Sequence, residues 1–210
     1  MTMLINNVPT NRKQVAFTFD DGPDPIYTPQ ILDIFREAGG RATFFMVGSQ
    51  IDKSPEVARR VQEQGHEIGN HTYTHPRLID LSEADREEEL LRTHRSIESL
   101  TGAAPRTFRP PYLAYDEQVE LAARKLGYAA IGAVNSEARD WDQPGVDHIL
   151  QATRAEANPG AILLFHDGFG DRSQTVEAVR RLVSELTEQG YSLVTVSELL
   201  ASGSEARQFG

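Results

Sequence analysis

Val15-Ala16-Phe17-Thr18-Phe19-Asp20-Asp21-Gly22-Pro23 decides how this chain is read. A short apolar run rich in β-branched and aromatic residues is a buried strand, and it stops at turn-forming residues. A nucleotide-binding open sheet follows its first strand with a glycine-rich turn, whose bare backbone approaches a phosphate. Here the strand ends in two aspartates and a proline, which repel a phosphate rather than cradle it. Helical patterns alternate with strand-like runs further along, so the sheet is mainly parallel. With the open nucleotide-binding form disfavoured, the expected fold is α/β, a distorted (β/α) barrel. In such a barrel the functional residues lie at the C-terminal ends of the strands.

The rest of the pattern supplies those ends. Helices are predicted over 29–38, 54–64, 82–100, 116–126, 146–157 and 175–189, with a last short helix beginning over 197–200. Strands are predicted over 43–47, 67–69, 108–109, 128–134, 161–165 and 191–196. Gly39, Gly65 and Gly127 stand where helices should stop, and Ser82 with Asp85 three residues on marks a helix start. The organisation expected is a lead-in over 1–13, one catalytic domain over 14–200 and a polar tail over 201–210. At 210 residues a single core suffices.

Composition excludes several function classes. The formal net charge of -10 repels a phosphate backbone, so nucleic acid is not expected as a partner. No apolar stretch approaches the roughly 18 residues of a membrane span, so no membrane partner is expected either. Met1 to Gln14 holds only the short run Met3-Leu4-Ile5 and lacks the pattern of a secretory signal peptide. With no cysteine in the chain, any metal must be held by nitrogen and oxygen ligands.

Polar residues gather at the predicted strand ends: Asp20-Asp21, His71-Thr72-Tyr73-Thr74-His75, Arg109 beside Pro110-Pro111-Tyr112, Asp140-Trp141 and His166-Asp167. Two histidines four apart lie on one side of a helical or turn segment, close enough to reach one ion. On its own such a pair is more often structural. With an aspartate from a neighbouring strand end it becomes a set of two imidazoles and a carboxylate. That composition leaves room for water and substrate, as in catalytic metal sites. Adjacent carboxylates repel unless a cation lies beside them. A calcium loop fits poorly, since no glutamate occurs at 27–31 to close it. Elsewhere, His66 is read as structural, His94 and His148 as surface residues, and Glu83 to Glu89 as a solvated helix face. Asp167 is read as either a turn former or a partner of the site.

Taken in order, Thr18-Phe19-Asp20-Asp21-Gly22-Pro23, His71 to His75, Arg109-Pro110-Pro111-Tyr112, Asp140-Trp141 and Leu164-Phe165-His166 resemble the five motifs of the polysaccharide deacetylases, the carbohydrate esterase family 4 or NodB-homology domain. The resemblance spans roughly 14–200. It implies a seven-stranded barrel and metal-dependent removal of acetyl groups from sugars. By position, Asp20 resembles the general base, while Asp21, His71 and His75 resemble the metal ligands. Arg109 resembles the arginine paired with the base, and the backbone N–H of Tyr112 the oxyanion donor. His166 resembles the general acid, oriented by Asp140, and Trp141 and Leu164 the walls of the acetyl pocket.

The implied cofactor is a divalent ion, Zn²⁺ with Co²⁺ or Ni²⁺ as alternatives. The implied partner is an N-acetylated glycan, chitin-like or peptidoglycan, handled by a monomer. Acetylated xylan, an amide of a small non-sugar and a silent glycan-binding module are the alternatives. The chain departs from the family pattern at Leu113, where glycine is usual, at Val134, where many members have tryptophan, and at Glu137, where aspartate is common.

Overall fold

The computed structural model of the chain describes residues 3–208, with side chains as far as residue 203. Met1, Thr2, Phe209 and Gly210, the outer ends of the expected lead-in and tail, lie outside the described residues. Seven parallel strands form one curled sheet: β1 (Gln14–Asp20), β2 (Thr43–Met46), β3 (Glu67–Asn70), β4 (Thr107–Phe108), β5 (Ala129–Ala130), β6 (Ile162–His166) and β7 (Ser192–Leu193). The order is β5-β4-β3-β2-β1-β6. β7 pairs with Gln14 and Val15, beside the part of β1 that β2 leaves free by starting opposite Thr18. The helices are α1 (Tyr27–Ala38), α2 (Gly48–Lys53), α3 (Pro55–Glu63), α4 (Glu83–Thr101), α5 (Glu117–Lys125), α6 (Val146–Glu156), α7 (Ser173–Glu188) and α8 (Val196–Gln208).

Strand alternation explains what each face does. Along β1, Phe17 and Phe19 point outward, meeting Phe35 of α1 edge-on and stacking with Phe44 and Phe165 of the neighbouring strands. The opposite face grades from apolar to polar. Ala16 packs with Phe45, Ile162 and Val196, while Thr18 and Asp20, higher up, meet the buried side chain of Arg109. In the lower half of the barrel Glu67 is a hub. Thr43 Oγ1, Thr107 Oγ1 and Ser197 Oγ all donate to its carboxylate, at 3.0, 2.8 and 2.7 Å.

The barrel is distorted because β5 and β6 do not pair. Residues 5–8 of the lead-in fill that seam. Ile5 N donates to Ala130 O (3.0 Å) and Gly132 N to Ile5 O (2.9 Å) on one side. On the other, Ile162 N donates to Asn6 O (3.3 Å) and Val8 N to Gly160 O (2.9 Å). This corrects the expected strand over 128–134: β4 ends at Phe108, so after the bond from Ile131 N to Phe108 O the chain is paired only on its other edge, by the single bridge to Ile5. The strand expected over 191–196 shortens to β7 because Thr195 and Glu198 form a reciprocal cap that starts α8. α8 then runs through most of the segment expected as a polar tail. α2, between Val47 and Ser54, has no counterpart in the sequence reading.

His66 takes the structural role expected of it. Its Nδ1 accepts from Ala42 N at 3.0 Å and its ring meets Phe35 and Phe44 edge-on. Burial, with Arg41 nearby, pushes it down to about 4, so it is neutral in the fold.

The seam is testable at Gly160. It has φ +86, and an added Cβ would lie 1.9 Å from Val8 O. Gly160→Ala should cost at least about 2 kcal/mol, from left-handed strain plus the lost Val8 contact, and lower Tm by roughly 4–8 °C. Thermal unfolding followed by circular dichroism measures it.

Candidate active site

The strand register sets the site. Asp20 is level with His166 on β6 and with Phe45 on β2. The backbone ladder continues past the strand ends: His71 N donates to Met46 O, Arg109 N to Asn70 O and Asp167 N to Asp20 O, each at 3.0 Å. Five chain segments therefore deliver their polar residues to one end of the barrel. They enclose a cleft of about 410 Å³ lined by all the predicted site residues except Arg109 and Asp140, which lie buried behind its wall. Pro110, Leu113 and Ser136 complete the lining.

Asp21, His71 and His75 converge, their ligand atoms all within 4.8 Å of one another. Asp21 Oδ1 is 3.2 Å from His75 Nε2 and 3.5 Å from His71 Nε2. His71 Nδ1 is 2.7 Å from Arg109 O, which can only accept, so the proton is on Nδ1 and Nε2 presents a lone pair. Asp21 Oδ1 is buried with no hydrogen-bond partner. A buried carboxylate oxygen facing two imidazole nitrogens is stable when a cation lies among them, so the donor set fits a divalent metal ion.

Arg109 is fully buried. Its Nη1 donates to Asp20 Oδ1 (2.8 Å) and Thr18 Oγ1 (2.6 Å), and its Nη2 to Gly132 O (2.7 Å). Its guanidinium lies 4.4 Å from the centre of the Phe45 ring. On the far side of the cleft His166 Nδ1 donates to Asp140 Oδ1 at 2.8 Å. Asp140 Oδ2 accepts from His166 N and from Thr175 Oγ1. Burial works to lower His166, but the charge and hydrogen bond of Asp140 prevail and push it up to about 9. Trp141 meets His166 edge-on at 5.3 Å, and Leu164 lies one turn of the pleat below it on the same face.

Asp167 turns out to be a buried partner of the site. Burial, with Asp21 and Asp20 nearby, pushes it up to about 7 although Thr28 Oγ1 donates to its Oδ2. Glu89 corrects the reading of Glu83 to Glu89 as a solvated face. It reaches back to the histidine turn, accepting from Tyr73 N and Thr74 N at 2.8 Å and from Thr74 Oγ1 at 2.7 Å. His94 is half-buried rather than at the surface, 2.8 Å from Tyr128 Oη, which also accepts from Asn70. His148 is exposed as expected. Arg172, absent from the sequence reading, donates to Gly168 O, Phe169 O and Trp141 O. Only the spacing of these residues from the motifs could have hinted at them.

The non-glycine residues with positive φ all lie in the loops that carry this site: Asp21, Thr72 and His75, Tyr112 and Leu113, Arg139 and Gln143, and Phe169. Leu113, at φ +52, adopts a conformation glycine would take without strain, and its side chain lines the cleft.

With this geometry in place, comparison with known proteins is informative. The polysaccharide deacetylase family model matches residues 7–131. A peptidoglycan-N-acetylglucosamine deacetylase of Bacillus cereus is 43% identical over 92% of this chain and 91% of its own length. A chitooligosaccharide deacetylase of Bradyrhizobium sp. is 37% identical over 89% of this chain and 90% of its own. The crystal structure of a peptidoglycan N-acetylglucosamine deacetylase in complex with an N-oxidanyl-benzamide superposes with a TM-score of 0.88 at 31% identity. That match covers 94% of this chain and 92% of the other. The chain belongs to the polysaccharide deacetylase family.

Proposed function

We propose that this protein hydrolyses the N-acetyl groups of N-acetylglucosamine units in chitin-like oligosaccharides or peptidoglycan. One observation carries the reading: Asp20, backed by Arg109, and His166, backed by Asp140, end neighbouring strands at the same level beside the Asp21–His71–His75 set. A base and an acid with separate partners at one donor cluster suit hydrolysis of an amide.

A divalent cation held by Asp21, His71 and His75, with Zn²⁺ favoured and Co²⁺ or Ni²⁺ as alternatives, would supply Lewis acidity, polarising the acetyl carbonyl and lowering the pKa of water toward roughly 7. Asp20 accepts the proton of the attacking water on Oδ2, because Arg109 occupies Oδ1. The backbone N–H of Tyr112 donates to the oxygen that gains charge as the carbonyl becomes tetrahedral. His166 enters protonated and gives its Nε2 proton to the departing amine, a poor leaving group until it is protonated. Trp141 and Leu164 give the acetyl methyl an apolar wall.

Asp20→Asn should lower acetate release from chitooligosaccharides by about 10²–10⁴-fold. Zinc affinity by calorimetry should stay within a few-fold, and unchanged turnover would remove Asp20 from the role of base. Zinc should raise the Tm of the wild-type protein, because a ligand bound only by the folded state stabilises it, and should not raise that of His75→Ala.

Asp140→Asn removes the charge that raises His166. The acid form is then lost at lower pH, and the alkaline limb of kcat/KM should move from near 9 toward 6.5, with kcat reduced. A limb that stays in place would show that another group sets it.

A further inference from the structure

The loop after β6 reads Gly168-Phe169-Gly170, and its middle residue is out of place by every local criterion. Phe169 has φ +57, a left-handed conformation disfavoured for an aromatic residue, and its ring is 46% exposed. Its backbone is fixed from all sides. Buried Arg172 donates to Gly168 O at 2.7 Å and to Phe169 O at 2.6 Å. Gly168 packs so closely on Asp21 that an added Cβ would lie 2.2 Å from Asp21 O. Asp171, two residues on, accepts from Tyr27 Oη at 2.9 Å and from Ser173 N at 2.8 Å. A rigid, strained loop thus holds a large apolar ring with almost half its surface in water.

The position of that ring suggests what it meets. It lies 5.6 Å from His75, edge-on, and Tyr112, 64% exposed, meets the same imidazole at 4.9 Å. Tyr112 lines the cleft whereas Phe169 stands just outside it, past His75. Trp141, the exposed aromatic beside His166, is tied through its own carbonyl to the same Arg172 that holds Phe169. An apolar rim therefore continues beyond the cleft on the His75 side. A β-linked glucosamine ring has axial C–H bonds on its faces, an apolar patch that an aromatic ring removes from water.

We propose that Phe169 is a stacking platform for the sugar next to the one being deacetylated, so that the protein favours oligomers over isolated acetyl groups. This rests on the deacetylase reading above and extends it to a residue that does not line the cleft itself. Binding energy from the neighbouring ring is the same in ground and transition states, so it acts on KM more than on kcat.

The test compares metal-loaded wild-type protein with Phe169→Gly, which relieves the left-handed strain and keeps the fold, and with Phe169→Trp, which keeps an aromatic face. The ratio of kcat/KM on N-acetylated chitotetraose to that on p-nitrophenyl acetate should fall about tenfold in Phe169→Gly, through KM, and be retained in Phe169→Trp. An unchanged ratio, or an equal loss in both variants, would overturn the platform. If the wild type released no acetate from any sugar, the deacetylase reading would fail. The affinity for chitotetraose by calorimetry would then decide the platform alone: a roughly tenfold loss in Phe169→Gly supports it and no change refutes it.

Discussion

A guanidinium buried inside the barrel is the constraint on which the rest depends. Taking Arg109 and Asp20 out of water is costly, and a buried ion pair repays that cost only when its remaining donors are also satisfied. Here four of the five N–H groups find acceptors, Thr18 Oγ1, Gly132 O and Ile131 O beside Asp20 Oδ1, and the flat face rests on Phe45. Thr18 passes the connection on by donating to Leu163 O at 2.6 Å. One side chain thus links β1, β6 and the residues just after β5, across the seam where backbone pairing fails. It also points Asp20 into the cleft. The interaction that helps close the barrel is the one that orients the proposed base.

The same accounting explains the donor cluster. Asp20, Asp21, Asp140 and Asp167 are all buried near one another. Asp20 has Arg109, Asp140 has His166, and Asp21 has two imidazoles, one of which presents a lone pair rather than a proton. Among the described residues Asp167 has no ion-pair partner, only the Thr28 hydroxyl, and burial with Asp21 and Asp20 nearby raises it to about 7. A cation among Asp21, His71 and His75 would relieve this excess of negative charge. The cleft therefore keeps a local excess of negative charge where a metal ion and an amine product would both be attracted.

Much of this was legible in the sequence, for physical reasons. Ser82 does cap its helix, accepting from Asp85 N, because capping is decided within a few residues. The motif residues fall at strand ends because a parallel barrel puts every strand's C-terminus on one face. What remained hidden depends on partners far along the chain. An apolar run such as 128–134 cannot announce that its partner strand β4 stops at Phe108 and that only Ile5 bridges its other edge. Glu89 looks like any acidic residue on a charged helix until the histidine turn folds onto it. Phe169, a lone aromatic between glycines, has no periodicity to read.

These hidden residues share a task. Each loop that carries a site residue holds left-handed non-glycine positions, at about 1–3 kcal/mol apiece, and strain of that size persists only where the surroundings over-determine it. Glu89 supplies that restraint under the histidine turn, Arg172 under Phe169 and Trp141, and Thr175 behind Asp140. Asn135 does the same for β6, exchanging hydrogen bonds with the Leu164 backbone at 2.6 and 3.1 Å. The residues that would do chemistry sit at the strand ends, but their directions are set by polar groups one layer behind. Substituting those groups should loosen the geometry of the cleft before it unfolds the barrel, since the sheet has its own hubs at Arg109 and Glu67.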